Sequence, residues 1–139
     1  MLTYEEKIAI LMAMCCVIGA DGEFQPEEKT LRGKMMIYLD LYHNKEDGPK
    51  IIKAIDEMTA QEAVNILSAM NMTKKKFAVA VLIETMKADG RCTPEEKHTI
   101  DVFSRHANLP YITDEEARQI LKREGLVGSA WNMVWRTLF

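Results

Sequence analysis

Ala20-Asp21-Gly22-Glu23-Phe24-Gln25-Pro26-Glu27-Glu28-Lys29 returns 68 positions later as Ala88-Asp89-Gly90-Arg91-Cys92-Thr93-Pro94-Glu95-Glu96-Lys97, with seven of the ten residues identical. Repetition at this length marks a supersecondary unit that cannot bury its apolar face alone. Each copy has the same local logic. Asp-Gly is turn chemistry, because glycine tolerates positive φ and aspartate bonds its own backbone. Pro26 and Pro94 suit a first helical position, and the two glutamates that follow complement the positive end of the helix dipole. The stretch therefore predicts a helix, an acidic loop and a second helix, twice over.

Working outward, the run 4–19 before the first loop has no proline, and Thr3-x-x-Glu6 has the form of a capping box. Ile8, Leu11, Met12, Cys15 and Cys16 fall on one face, and Ala9, Ala13, Val17 and Ile18 widen it nearly all round. Such a helix belongs in the middle of a bundle, and Cys15 and Cys16 then read as small buried hydrophobes. The run 77–86 before the second loop has the same character. Between the copies, a helix over 26–41 is expected to bury Leu31, Met35, Tyr38, Leu39 and Leu41. A polar loop covers 43–48. Pro49 is expected to start a helix to about 58 with Ile51, Ile52 and Ile55 inward.

Thr59-x-x-Glu62 predicts a further helix to about 72, with Ala63, Ile66, Leu67 and Met70 as its face. Thr73 is expected to cap the next one, to about 87. After the second loop a helix runs to about 108, where Pro110 forbids continuation. Thr113-x-x-Glu116 opens another, ending near 125, and Ser129 opens a short last one over about 129–138. No period-two strand pattern occurs. The expected fold is a single all-α domain over 1–139, a bundle of seven to eight helices. Its two pseudo-twofold-related halves are placed at about 3–58 and 59–125.

The chain carries a net charge of −3, with 47% hydrophobic and 28% charged residues. That is an ordinary globular composition, and without a basic surplus it argues against nucleic acid as partner. Three cysteines, two of them adjacent, do not suggest a disulfide framework. The start of the chain lacks the basic region of a signal peptide, and no apolar run approaches the roughly 20 residues of a spanning helix. The expected location is cytoplasmic. The ten methionines are scattered at helical spacing, which suits core packing better than a soft-metal site.

Oxygen-rich turns suit hard cations, calcium or magnesium. The first loop offers Asp21, Glu23, Glu27 and Glu28. The second offers a weaker set, Asp89, Glu95 and Glu96, because Arg91 stands where the first copy has an acid. An EF-hand is not expected: Val17, Gly19, Thr85 and Lys87 occupy places where that loop needs Asp or Asn. The competing structural reading gives the same acids turn-forming and helix-capping roles. Lys74, Lys75 and Lys76 share the first turn of a helix, where the dipole disfavours them. A solvated basic turn is expected there, with a phosphate site as the alternative.

No serine or cysteine nucleophile sits in a recognisable motif, no zinc spacing or glycine-rich phosphate loop is present, and His98 with Asp101 makes only a weak pair. No catalysis and no small-molecule substrate are expected. Trp131, Val134, Trp135 and Leu138 line one helical face. It docks on its own bundle, or serves as a partner or membrane-interface surface.

Ala20-Asp21-Gly22-Glu23 with Pro26-Glu27-Glu28, echoed by Ala88-Asp89-Gly90 with Pro94-Glu95-Glu96, resembles the signature of the TerB-like domains of the tellurite-resistance TerB family. The same domain type resembles the N-terminal region of a membrane-anchored DnaJ-type co-chaperone. The resemblance spans about residues 4–110, and the two loops are its specific motifs. It implies a compact all-α fold and a non-catalytic role in metal sensing or stress response. The expected partner is a protein, in complexes near the membrane.

Overall fold

The computed structural model describes residues 2–18, 36, 39, 41–87 and 93–123. Among the described residues the structure is all-helical, with no strand and six helices. They are α1 (Tyr4–Ile18), α2 (Asp47–Glu57), α3 (Ala60–Ala69), α4 (Met72–Lys87), α5 (Pro94–His106) and α6 (Asp114–Arg123). The helices expected over 26–41 and 129–138 lie outside the described residues, apart from Met36, Leu39 and Leu41, which are buried.

The helix starts follow the capping rule. Thr3 N–H donates to Glu6 Oε1 at 2.8 Å and Glu6 N–H donates to Thr3 Oγ1 at 3.1 Å, a reciprocal box. Thr59, Thr93 and Thr113 accept from the N–H of Glu62, Glu96 and Glu116, each at 3.1 Å. Two expected starts are corrected. The cap of α4 is Asn71, whose Oδ1 accepts from Lys74 N–H at 3.0 Å, so Thr73 lies inside the helix. Met70 is extended and its N–H returns to the Leu67 carbonyl, so α3 ends at Ala69, before the expected 72, and frees Asn71 to open α4. Likewise α2 starts at Asp47. The Asp47 carboxylate accepts from His43 N–H at 2.8 Å and Asn44 N–H at 3.2 Å, folding the preceding turn onto the helix. Pro49 is then inside the first turn, where its missing N–H has no helical partner to lose.

The end of α5 is set by Asn108 at φ 53°. Asparagine tolerates this left-handed conformation, and Leu109 N–H closes on the Ser104 carbonyl at 2.8 Å as in a Schellman cap. The helix therefore ends at His106 rather than 108.

The core lies on α1 and α4. Ile8, Ala9, Ile10, Leu11, Ala13, Met14 and Val17 are buried, as are all six residues 78–83 of α4. Successive residues point about 100° apart, so both helices are covered on every side. Each fully buried Leu, Ile or Met there contributes about 1.5–3 kcal/mol relative to exposure. Around them, α3, α5 and α2 pack on α1, while α6, and more lightly α5, pack on α4; α1 and α4 pack on each other. Ile51 and Ile55 face the core from α2, but Ile52, expected inward, is 38% exposed. The face of α3 is as expected, with Ala63, Leu67 and Met70 buried and Ile66 partly so. Cys15 and Cys16 are only partly buried against the core, a correction to their expected full burial. Burial pushes the Cys16 thiol up, which favours its protonated form. Among the described residues no helix is long and apolar enough to cross a membrane.

Candidate functional site

The first-loop acids Asp21, Glu23, Glu27 and Glu28 lie outside the described residues, as does Asp89 of the second loop. Two of the weaker set are described. Glu95 is exposed on the first turn of α5. Glu96 is buried at 4% exposure. Its N–H is bound by the Thr93 hydroxyl, which in turn donates to Glu96 Oε1 at 3.3 Å. That carboxylate is thus held against the helix start, in the structural role of a cap partner. Among the described residues no three His, Cys, Asp or Glu side chains converge. His98 and Asp101 are both exposed on α5.

The three lysines at the head of α4 each make a polar contact to a different part of the fold. Lys74 Nζ donates to Glu6 of α1, at 2.9 Å to Oε1 and 3.3 Å to Oε2. Lys75 is buried, at 7% exposure, and its Nζ donates to the Asn108 carbonyl at 3.3 Å. Lys76 pairs with Glu116 of α6 at 3.5 Å. The expected solvated basic turn is therefore corrected. Each ammonium ties the N-terminus of α4 to a different part of the fold, and two carboxylates offset its unfavourable dipole. The Asn108 carbonyl lies just past the negative end of α5, a favourable place for the Lys75 charge.

Two carboxyl groups carry shifted proton affinities. Burial raises the Glu6 carboxyl, but the Thr3 N–H and the Lys74 ammonium together outweigh it and hold the group below the usual glutamate range. The His43 N–H, with Asn44 N–H beside it, lowers Asp47. Both groups accept backbone N–H bonds at helix starts, the arrangement that favours a carboxylate.

The lysine ties were missed in the sequence because their partners are distant along the chain. One signal was present. Glu6 and Lys74 are separated by 68 positions, the same offset as the loops, so they are equivalent places in the repeat.

No family model and no curated protein matches the chain. A solved structure does. The fold is similar to that of a protein of unknown function from Porphyromonas gingivalis W83, with a TM-score of 0.69 and 24% sequence identity, covering 87% of this chain and 90% of that one. The likeness shows the fold alone.

Proposed function

We propose that this chain is a non-catalytic, TerB-like interaction module of the stress-response type, whose first acidic loop responds to a divalent cation, calcium or magnesium. Its partner would be a protein, in a complex that can be membrane-associated, with the chain itself cytoplasmic. The finer architecture belongs to the same proposal: seven to eight helices in two related halves. Support for the halves comes from the helix starts, since Thr3 and Asn71, the caps of α1 and α4, are 68 positions apart.

The observation that carries the cation role is a contrast between the copies. Asp21 and Asp89 both serve a turn. Glu28 corresponds to Glu96, whose carboxylate is engaged at the Thr93 cap. Glu23 is different: its counterpart is Arg91, so no fold requirement common to the two loops accounts for an acid there. A carboxylate adds an oxygen ligand, and a guanidinium removes one and repels the ion.

A second reading is favoured by Glu96 itself. If every loop acid has such a capping role, the chain is a purely structural interaction domain with no metal function. Titration with calcium and with magnesium, followed at the Gly22 and Gly90 amide resonances, separates the two. The cation reading expects saturable shifts at Gly22 with an affinity on the order of 10⁻⁴–10⁻³ M. It also expects little change at Gly90, and loss of the response in Glu23→Arg. Equal shifts at both glycines, or none at several millimolar, leave the structural reading.

A further inference from the structure

The starts of α1, α4 and α6 are gathered at one end of the fold. Glu6, the third residue of α1, is bound by Lys74, the third residue of α4, at 2.9 Å. Lys76 of α4 pairs with Glu116, the third residue of α6, at 3.5 Å. The Lys75 bond to the Asn108 carbonyl brings the segment 107–113 to the same place.

This end also carries three of the five large hydrophobic residues left exposed among the described residues. Tyr4 and Met72, the first residues of α1 and α4, are 53% and 54% exposed. Tyr111, two places before the Thr113 cap, is 92% exposed. Its loop is anchored, because Leu109 and Ile112 are buried and Leu109 N–H closes on the Ser104 carbonyl. The ring is therefore held in water by fixed neighbours. Exposed apolar side chains scattered singly are ordinary; three collected at one end mark a surface for contact. The other two, Tyr42 and Ile52, lie at α2, with Tyr42 against Gly48.

The charge facing water at this end is acidic. The first turns of α1 and α6 hold five carboxylates against the three lysines of α4. Lys74 and Lys76 are paired, and Lys75 is buried. Glu5, Asp114 and Glu115 are exposed, against one exposed cation, Arg118, in the second turn of α6 and the half-buried Lys7.

We propose that Tyr4, Met72 and Tyr111 seat a basic, apolar segment of a partner protein, with Glu5, Asp114 and Glu115 as the rim. A lysine or arginine is attracted to the face of a tyrosine, and a thioether adapts to irregular apolar side chains. The rim carboxylates steer and orient a cationic partner. An anchored loop holds Tyr111 in place before binding, which lowers the ordering cost. The inference rests on the interaction reading above and adds the partner's chemistry. It does not depend on cation binding, so it is tested with the full chain in EDTA.

The probe is an amphipathic helical peptide of leucine and lysine, compared with its counterpart carrying glutamate for lysine. The expected result is saturable shifts of the Tyr4, Met72 and Tyr111 amide resonances with the lysine peptide, weakening as sodium chloride is raised. The glutamate peptide should leave them in place. Tyr111 is almost fully exposed, so Tyr111→Ala leaves the fold intact and should weaken the binding roughly tenfold. Glu115→Lys should weaken it as well. Equal binding of the two peptides, no binding, or shifts centred on Ile52 or on any other face would overturn the proposal. So would affinity unchanged in Tyr111→Ala. Shifts of the same resonances on dilution of the chain alone assign the surface to a second copy, and shifts with vesicles of phosphatidylcholine and phosphatidylserine assign it to lipid; either overturns it. Each of these failures leaves the interaction reading standing, because a partner of other chemistry or another face still satisfies it.

Discussion

The Glu6–Lys74 pair offers the most direct test of how α1 is tied to the head of α4. Glu6→Gln removes the charge but keeps an oxygen for the Thr3 N–H, and Lys74→Met removes the ammonium but keeps the apolar stem. Two unit charges about 4 Å apart attract by roughly 4 kcal/mol at an effective dielectric constant of 20. Desolvation of both groups and ordering of the lysine chain offset most of that. Exposed pairs retain about 0.2–1 kcal/mol. Here the Lys74 and Glu6 side chains are only 24% and 14% exposed, and the ammonium reaches both carboxylate oxygens. A double-mutant cycle should therefore give a coupling of about 1–1.5 kcal/mol at pH 7, read by urea unfolding of the wild type, both single variants and the double.

The pH dependence carries a sign. The Glu6 carboxyl is held low in the folded chain, so the native state binds its proton less readily than the unfolded state does. The stabilisation is complete above the unfolded glutamate value, about 4.3, and is lost as pH falls through the lower folded value. A coupling within about 0.3 kcal/mol of zero at pH 7 would refute the tie. So would a coupling that kept its full size at pH 3.

The helix caps and the buried lysine give two further expectations. Asn71→Ala should lower stability by about 1 kcal/mol, while Thr73→Ala should change it by only a few tenths, measured by chemical denaturation; the reverse order would return the cap to Thr73. Lys75→Ala removes a packed stem and the donor to the Asn108 carbonyl, and should destabilise by about 1–3 kcal/mol. Lys75→Met, which keeps the stem, should recover part of that in the same assay.

Much of the helical fold was legible because its rules are local. A threonine with glutamate three places on brings a side-chain oxygen to an orphan N–H in one turn, and Thr3, Thr59, Thr93 and Thr113 all do this. The all-round apolar runs of α1 and α4 announced two buried helices, and both are buried. The misses occurred where two local rules competed. Asn71 and Thr73 can each cap, and the choice fell to the place where α3 stops. Asp47 and Pro49 can each start α2, and the carboxylate that collects the His43 and Asn44 N–H groups prevailed. Ile52 fitted the periodicity but sits at the edge of the buried stripe. In the candidate site, Glu96 shows how little an acidic motif says alone, since its backbone N–H and its carboxylate both engage Thr93 at the helix start.

The lysines were illegible for a different reason, and the repeat explains what to look for. In a chain of two related halves, most equivalent positions lie far apart, and nothing prevents the copies from keeping the same residue. Where two equivalent positions of a repeat do meet, they cannot both keep the same charge. Two glutamates at 6 and 74, or two lysines, would face each other at contact distance and repel. Glutamate in one copy and lysine in the other instead gives a charge-assisted pair at 2.9 Å. A reversal of charge between copies is therefore a signal of two possible kinds. At positions 6 and 74 it accompanies direct contact between α1 and α4. At Glu23 and Arg91 the same exchange of acid for base occurs within the loops. If those loops are remote from each other, proximity cannot account for it, and a loop-specific task for Glu23 is the physical explanation left. A contact between Glu23 and Arg91 would remove that explanation. The Glu23→Arg titration tests this directly, because a merely paired glutamate would leave the Gly22 resonance indifferent to calcium and magnesium in the wild type.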